Sequence, residues 1–253
     1  MGRELRGALV RALGYGLVLE AMLAAAILYW PSFKPFVGMF KALVPSWMIR
    51  GLFDAQDHGG VMAYVHLQHF FKGCNTLGVA VSVLFAMGAV AGEAHRGTLE
   101  IWLARPLSRR RILGERYVLG ALAVVAPVFA TSASIPWLLT RVDETMRMWP
   151  LMLCSAHQSI FLLAIYSATF LYSCVGHKPA QIAFVMLGIT TFQFAIYLVQ
   201  DVTHWSLFRL VDVRIFGEIQ SRGSLAWTIA LPLLAFSAVC YFASQWAFAR
   251  RTP

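Results

Sequence analysis

The chain has 253 residues, of which 59% are hydrophobic and only 13% charged, where a soluble domain carries about 25% charged residues. That apolar excess cannot be buried in one water-soluble core, and the formal charge of +9 then belongs to a membrane surface facing anionic lipid, not to nucleic acid. A closed barrel is excluded as well, because its strands require alternating apolar and polar residues and the apolar runs here are continuous.

In chain order, spans are expected at about 12–31, 73–92, 117–140, 150–176, 179–200 and 225–249, each run having the roughly 20 residues a bilayer crossing needs. The expected fold is all-α, a polytopic membrane protein with six transmembrane helices and 1–253 forming one transmembrane domain. The first run is broken only by Glu20. An acid at a helix centre costs on the order of 3 kcal/mol against lipid, so Glu20 should face protein, water or a substrate path. The small-residue cluster Ala24-Ala25-Ala26 runs straight into Ile27-Leu28-Tyr29-Trp30, which reads as an uncleaved first helix and not as a signal peptide.

Between spans one and two, residues 31–72 carry Phe36, Phe40, Leu43, Val44, Trp47 and Met48 at helical spacing, predicting an amphipathic elbow on the outer membrane surface. Pro45 and Gly51 break it, and Asp54 to Gly60 reads as a turn before a second helix leads into span two. His66 and His69 stand at i, i+3 near His58 and Cys74. Such residues suit copper or zinc, but this spacing is no specific signature and no metal is assigned. Cys74, Cys154, Cys174 and Cys240 lie in or at the edge of spans, where thiols pack as small hydrophobes, so no disulfide framework follows.

The second connection is a dense polar island, Gly92-Glu93-Ala94-His95-Arg96-Gly97-Thr98-Leu99-Glu100 followed by Arg105-Pro106-Leu107-Ser108-Arg109-Arg110-Arg111. Thr98 can cap a short helix on which Leu99, Trp102 and Leu103 share a face. Pro106 ends that helix, and Ser108 can cap the next, which carries Arg109, Arg110 and Arg111 at the headgroups. Gly97 permits a sharp turn or a close approach, and Gly88 with Gly92 offers a GxxxG surface for close helix contact.

Later spans hold fewer polar groups. His157, beside Ser155 and Gln158, opens the fourth, and Gln193 with Thr190 lies in the fifth. Glu20, His157 and Gln193 are the candidates for a translocation path, with ordinary interhelical hydrogen bonding as the plainer reading. Pro127, Pro136 and Pro232 can kink their helices. Residues 201–222 mix Trp205, Leu207, Phe208, Leu210, Val213 and Ile215 with charges and are expected to hug the outer interface.

An even number of spans puts both termini on one side. That side carries 12 Lys and Arg against 9 opposite, with the arginines clustered in the short second connection, so both termini are expected in the cytoplasm. No G-x-x-x-x-G-K-[ST] loop occurs, so this chain has no phosphate cradle of its own. A membrane enzyme would need converging acid, base or metal groups, whereas Glu20, His157 and His177 are scattered over different spans and sides.

The run Glu93-Ala94-His95-Arg96-Gly97-Thr98-Leu99-Glu100, with Pro106, Ser108 and Arg109 after it, resembles the cytoplasmic loop signature of type-2 ABC transporter permeases. The hydropathy layout is similar too: six spans, an external elbow between the first two and the signature between the second and third. The resemblance implies a non-catalytic permease subunit in the cytoplasmic membrane, coupling ATP hydrolysis by a separate nucleotide-binding subunit to export or translocation of a substrate. It implies a coupling helix at 93–103. Glu93 and Arg96 would form an ionic latch there, Gly97 and Thr98 the tight entry, Leu99 and Trp102 an apolar plug, and Glu100 a contact to a basic patch, with Pro106 and Arg109 completing the motif. Two ABC ATPase subunits binding ATP and Mg, and a second permease copy, are the implied partners. The alternative is an ATP-driven mechanical anchor, with a large external partner seated on 31–72 and no transported substrate. Gly114-Glu115-Arg116, where many relatives carry Gly-Lys, departs from the family pattern.

Overall fold

A computed structural model describes residues 2–36, 60–100 and 107–251, and every regular element among them is helical. In chain order these are α1 (Gly2–Phe33), α2 (Val61–Met87), the short α3 (Ala91–His95), α4 (Arg109–Leu139), α5 (Met148–Val175), α6 (Pro179–Tyr197), the short α7 (Val213–Arg222) and α8 (Trp227–Arg250). Six of them, all but α3 and α7, are long and apolar enough to cross a membrane, in agreement with the expected spans. The bounds differ most at the second span. It begins at Val61 instead of 73, because Lys72 interrupts the charge-free run without interrupting the helix. The expected outer elbow falls largely on 37–59, outside the described residues.

The core is organised around α5. About two-thirds of its most apolar window (67%) is buried, against 22%, 17% and 22% for α1, α6 and α8. A helix apolar on all sides and buried on most of them is a central post; the other three turn apolar faces outward, with Leu13, Leu17, Phe184, Phe192, Val239 and Phe242 exposed, where lipid or a second copy can cover them. Hydrocarbon drives no hydrophobic association between helices, so close approach at small residues and hydrogen bonds must hold the bundle together. Gly78 and Gly120 mark such approaches. A Cβ on Gly78 would stand 2.8 Å from Leu162 Cδ1, and one on Gly120 would stand 2.1 Å from Tyr166 Oη.

Tyr166 is 1% exposed and donates its hydroxyl to the Tyr117 carbonyl, so it has nowhere to swing. Gly120→Ala should therefore lower thermal stability in detergent by an overpacking cost of about 1–3 kcal/mol. Adding Tyr166→Phe should recover part of it. Only part returns, because Tyr166 Cζ would still lie 2.8 Å from the new methyl group. An unchanged melting temperature for Gly120→Ala would contradict this packing.

Within α2, residues His66–Gly78 wind as a π-helix, a form usually confined to single turns at functional sites. It buries His66, His69, Cys74 and Asn75 inside the bundle. His69 meets Ser132 at 2.9 Å, and Gln158 donates to Asn75 at 2.8 Å. Among the described residues no group of three His, Cys, Asp or Glu side chains is placed to hold a metal.

Two expectations need correction. Gly88 and Gly92 do not share a helix face, because α2 ends at Met87, Gly88 is its C-cap and the chain leaves the helix before α3. The segment 201–222 does not merely lie along the interface. Trp205 and Leu207 are exposed, but Phe208, Val211, Val213, Phe216 and Ile219 enter the core, and Phe216 stacks on Phe70 at 4.9 Å. Asp212 caps α7 by accepting from the Arg214 amide, which puts the apolar residues 213, 216 and 219 on one face aimed inward. At the same end of the molecule, Trp30 and Lys34 both donate to Glu144 Oε1, at 3.1 and 3.0 Å.

Candidate coupling site

The island between α2 and α4 is built around the Glu93 carboxylate, 12% exposed. Oε1 accepts from Arg96 at 2.8 Å and from Arg116 at 3.2 Å, and Oε2 accepts from the Thr98 hydroxyl. Burial of this carboxyl opposes ionisation; the Thr98 hydroxyl, then Arg116 and Arg96, outweigh it and leave the pKa below the usual carboxylate range. Glu93 and Arg96 are thus paired, and Arg116 brings a second guanidinium to the same carboxylate oxygen. Arg116 also donates to the Ala89 carbonyl at 2.7 Å.

The backbone at this point is a complete Schellman motif. The Thr98 amide donates to the Glu93 carbonyl at 3.0 Å and the Gly97 amide to the Ala94 carbonyl at 3.2 Å, with Gly97 between them at φ +68°. Gly97 therefore ends α3 in the left-handed conformation that a glycine adopts without steric cost. Its other end is held by Ser173 of α5. The Ser173 hydroxyl accepts from the Val90 and Ala91 amides, at 3.0 and 3.1 Å, and donates to the Met87 carbonyl at 2.9 Å. Arg116 joins α3 to α4 while Ser173 joins it to α2 and α5. Hydrogen bonds therefore tie α3 directly to three membrane helices, α2, α4 and α5.

The remaining predicted residues divide. Leu99 is 6% exposed and sits in this chain's own core, whereas Glu100 is exposed. Trp102 and Pro106 lie outside the described residues. Ser108 caps α4 by accepting from the Arg111 amide. Arg109 donates to the carbonyls of Ala249 and Arg251 at 3.1 and 2.9 Å, fastening the start of α4 to the end of α8. Arg251 in turn donates to the carbonyls of Cys174 and Gly176 at 2.6 and 2.9 Å, a cation on the orphan carbonyls of a helix C-terminus. Ser173, Arg116 and Arg251 are the structural residues that sequence reasoning did not single out as partners of the island.

The candidate path residues are not brought together. Glu20 accepts from Ser134 at 2.9 Å. His157 meets the Leu210 carbonyl at 2.8 Å, with its Nδ1 buried and unpaired by protein. Gln193 accepts from the Leu207 amide at 3.0 Å, holding the start of the 3₁₀ turn Leu207–Val211.

No curated protein matches the chain. Residues 32–204 match the family model described as ABC-2 family transporter protein, a segment that contains the second, third, fourth and fifth spans and the whole island between α2 and α4. With six membrane-crossing helices and this hydrogen-bonded island between the second and third, the chain belongs to the ABC-2 family of membrane transport proteins.

Proposed function

We propose that residues 1–253 form one permease domain of an ABC exporter in the cytoplasmic membrane, with both termini in the cytoplasm. A separate ABC ATPase pair binds ATP and Mg and docks on the loop at 93–109, and two permease copies form the pathway between them. The observation that carries this reading is the placement of the lever: Glu93, Arg96 and Arg116 share a cavity wall with Gly7 and Arg11 of α1, while Arg109 is bonded to the end of α8. The loop, the first turns of the chain and its last helix therefore occupy one face. Closure of the ATPase pair would push α3, and through Ser173 and Arg116 would tilt α2, α4 and α5 together, converting one permease state into another.

The test is purification of the affinity-tagged chain from its native membrane, combined with labelling of Glu100→Cys by a membrane-impermeant maleimide. The native cysteines, Cys74, Cys154, Cys174 and Cys240, are all buried, so background labelling should be low. A copurifying ABC ATPase, and labelling only in inside-out vesicles, are the expected results. Labelling in intact cells would reverse the orientation, and a complex lacking any ATPase would remove the coupling assignment.

A further inference from the structure

Beside the lever lies a cavity of about 310 Å³, bounded by the first turns of α1, the end of α2, the island and the first turns of α4. Its polar wall carries Arg11, Arg96 and Arg116 against the single carboxylate of Glu93. That carboxylate is spent on Arg96, Arg116 and Thr98, so Arg11 brings to the lining a positive charge that no carboxylate among the lining residues takes up. Arg11 uses its Nε on the Gly7 carbonyl and lays its guanidinium over the Phe85 ring at 5.2 Å. Leu84, Phe85 and Leu119 supply apolar lining, and Leu84 is 46% exposed. Gly88 leaves the floor open: a Cβ there would meet nothing within 4 Å.

A pocket that sets guanidinium groups beside apolar side chains, between the end of one span and the polar island that follows it, matches an amphiphilic anion. A soluble anion would leave the apolar lining unused, and a neutral lipid would leave the charge of Arg11 uncompensated. Basic pockets between membrane helices bind anionic headgroups in this way. We infer that this cavity is a binding site for an anionic diacyl phospholipid, its phosphate held by Arg11 and Arg96 and an acyl chain lying along Leu84, Phe85 and Leu119. In the orientation proposed above, that lipid belongs to the inner leaflet. A lipid here would touch the lever through Arg96, so its presence would influence how freely α3 moves.

The site is tested on the purified full-length chain by native mass spectrometry with added phosphatidylglycerol or phosphatidylcholine, and with inorganic phosphate as competitor. One tightly retained phosphatidylglycerol per chain is expected, with phosphatidylcholine weaker. Arg11→Gln should weaken retention on the order of fivefold, the effect of one cation at an anionic headgroup. Gly88→Leu, which fills the floor at a φ of −94° that leucine adopts freely, should abolish it while thermal stability stays at the wild-type value. Equal retention of phosphatidylcholine, or full retention in both variants, would overturn the assignment. Displacement by millimolar phosphate would reassign the site to a soluble anion. Because no ATPase is present, these outcomes are independent of whether the permease reading holds.

Discussion

Glu93→Gln is expected to abolish most ATP-driven transport while leaving membrane insertion and helix content unchanged. Glutamine keeps the volume and can still bond Thr98, but it removes the charge on which two guanidinium groups converge. Arg116, with a side chain only 16% exposed, would then lose its charged bond to this carboxylate in a partly desolvated position. A charged hydrogen bond is worth about 1.5–3 kcal/mol, and loss of about 2 kcal/mol of lever stability corresponds to a roughly thirtyfold change in its ordered population. Transport in proteoliposomes should fall by a similar factor. ATP hydrolysis by the assembled complex should persist but no longer respond to substrate. A double-mutant cycle with Arg116→Gln should give a coupling energy of about 1–3 kcal/mol, since the two groups act as one network. Full transport by Glu93→Gln would show that the latch does not transmit force.

The same carboxylate supplies a pH signature. Its pKa is lower in the folded chain than in the unfolded one, so its stabilising effect is fully present above the unfolded value, about 4.3 for glutamate, and is lost as pH falls through the folded value. Thermal stabilities of wild type and Glu93→Gln should differ at pH 7 and converge on acidification below that range.

The six spans were readable because lipid imposes one simple requirement, a long apolar run with its backbone bonded internally. Span two shows where that criterion is too strict. Lys72 remains exposed on a helix whose other face buries His66, His69 and Asn75, and a count of charged residues sees the lysine but not the helix. The latch was legible as a motif, Glu-x-x-Arg-Gly-Thr, whose spacing brings Glu93, Arg96 and Thr98 together locally. Its anchors were not. Ser173 lies far along the chain in a span whose other hydroxyls, such as Ser155 and Ser167, bond the carbonyl one turn back, so nothing in its local sequence separates it from them. Arg251 and Arg109 looked like charges of the positive-inside pattern, and only the fold reveals that their donors are spent on helix-end carbonyls. The inward face of α7 was missed because its charged residues, Arg214, Glu218 and Arg222, pair with one another on the outside and dominate the composition of the segment.

Substitutions at Gly97 separate the needs of this chain from the needs of its partner. At φ +68° any residue with a Cβ pays about 1–2 kcal/mol of backbone strain, asparagine the least and β-branched residues the most. A Cβ built there meets nothing within 4 Å, so side-chain volume has no intramolecular cost. For the isolated permease, stability should therefore follow Gly97 above Asn, then Ala, then Val, and Gly97→Trp should resemble Gly97→Ala. In the assembled complex the comparison changes. If an ATPase subunit packs against this turn, tryptophan occupies space the partner needs, and transport by Gly97→Trp should drop at least about tenfold below Gly97→Ala, the equivalent of 1.4 kcal/mol at the interface. Equal transport by the alanine and tryptophan variants would place the docking surface elsewhere on the face, and would leave Gly97 a requirement of the Schellman turn alone.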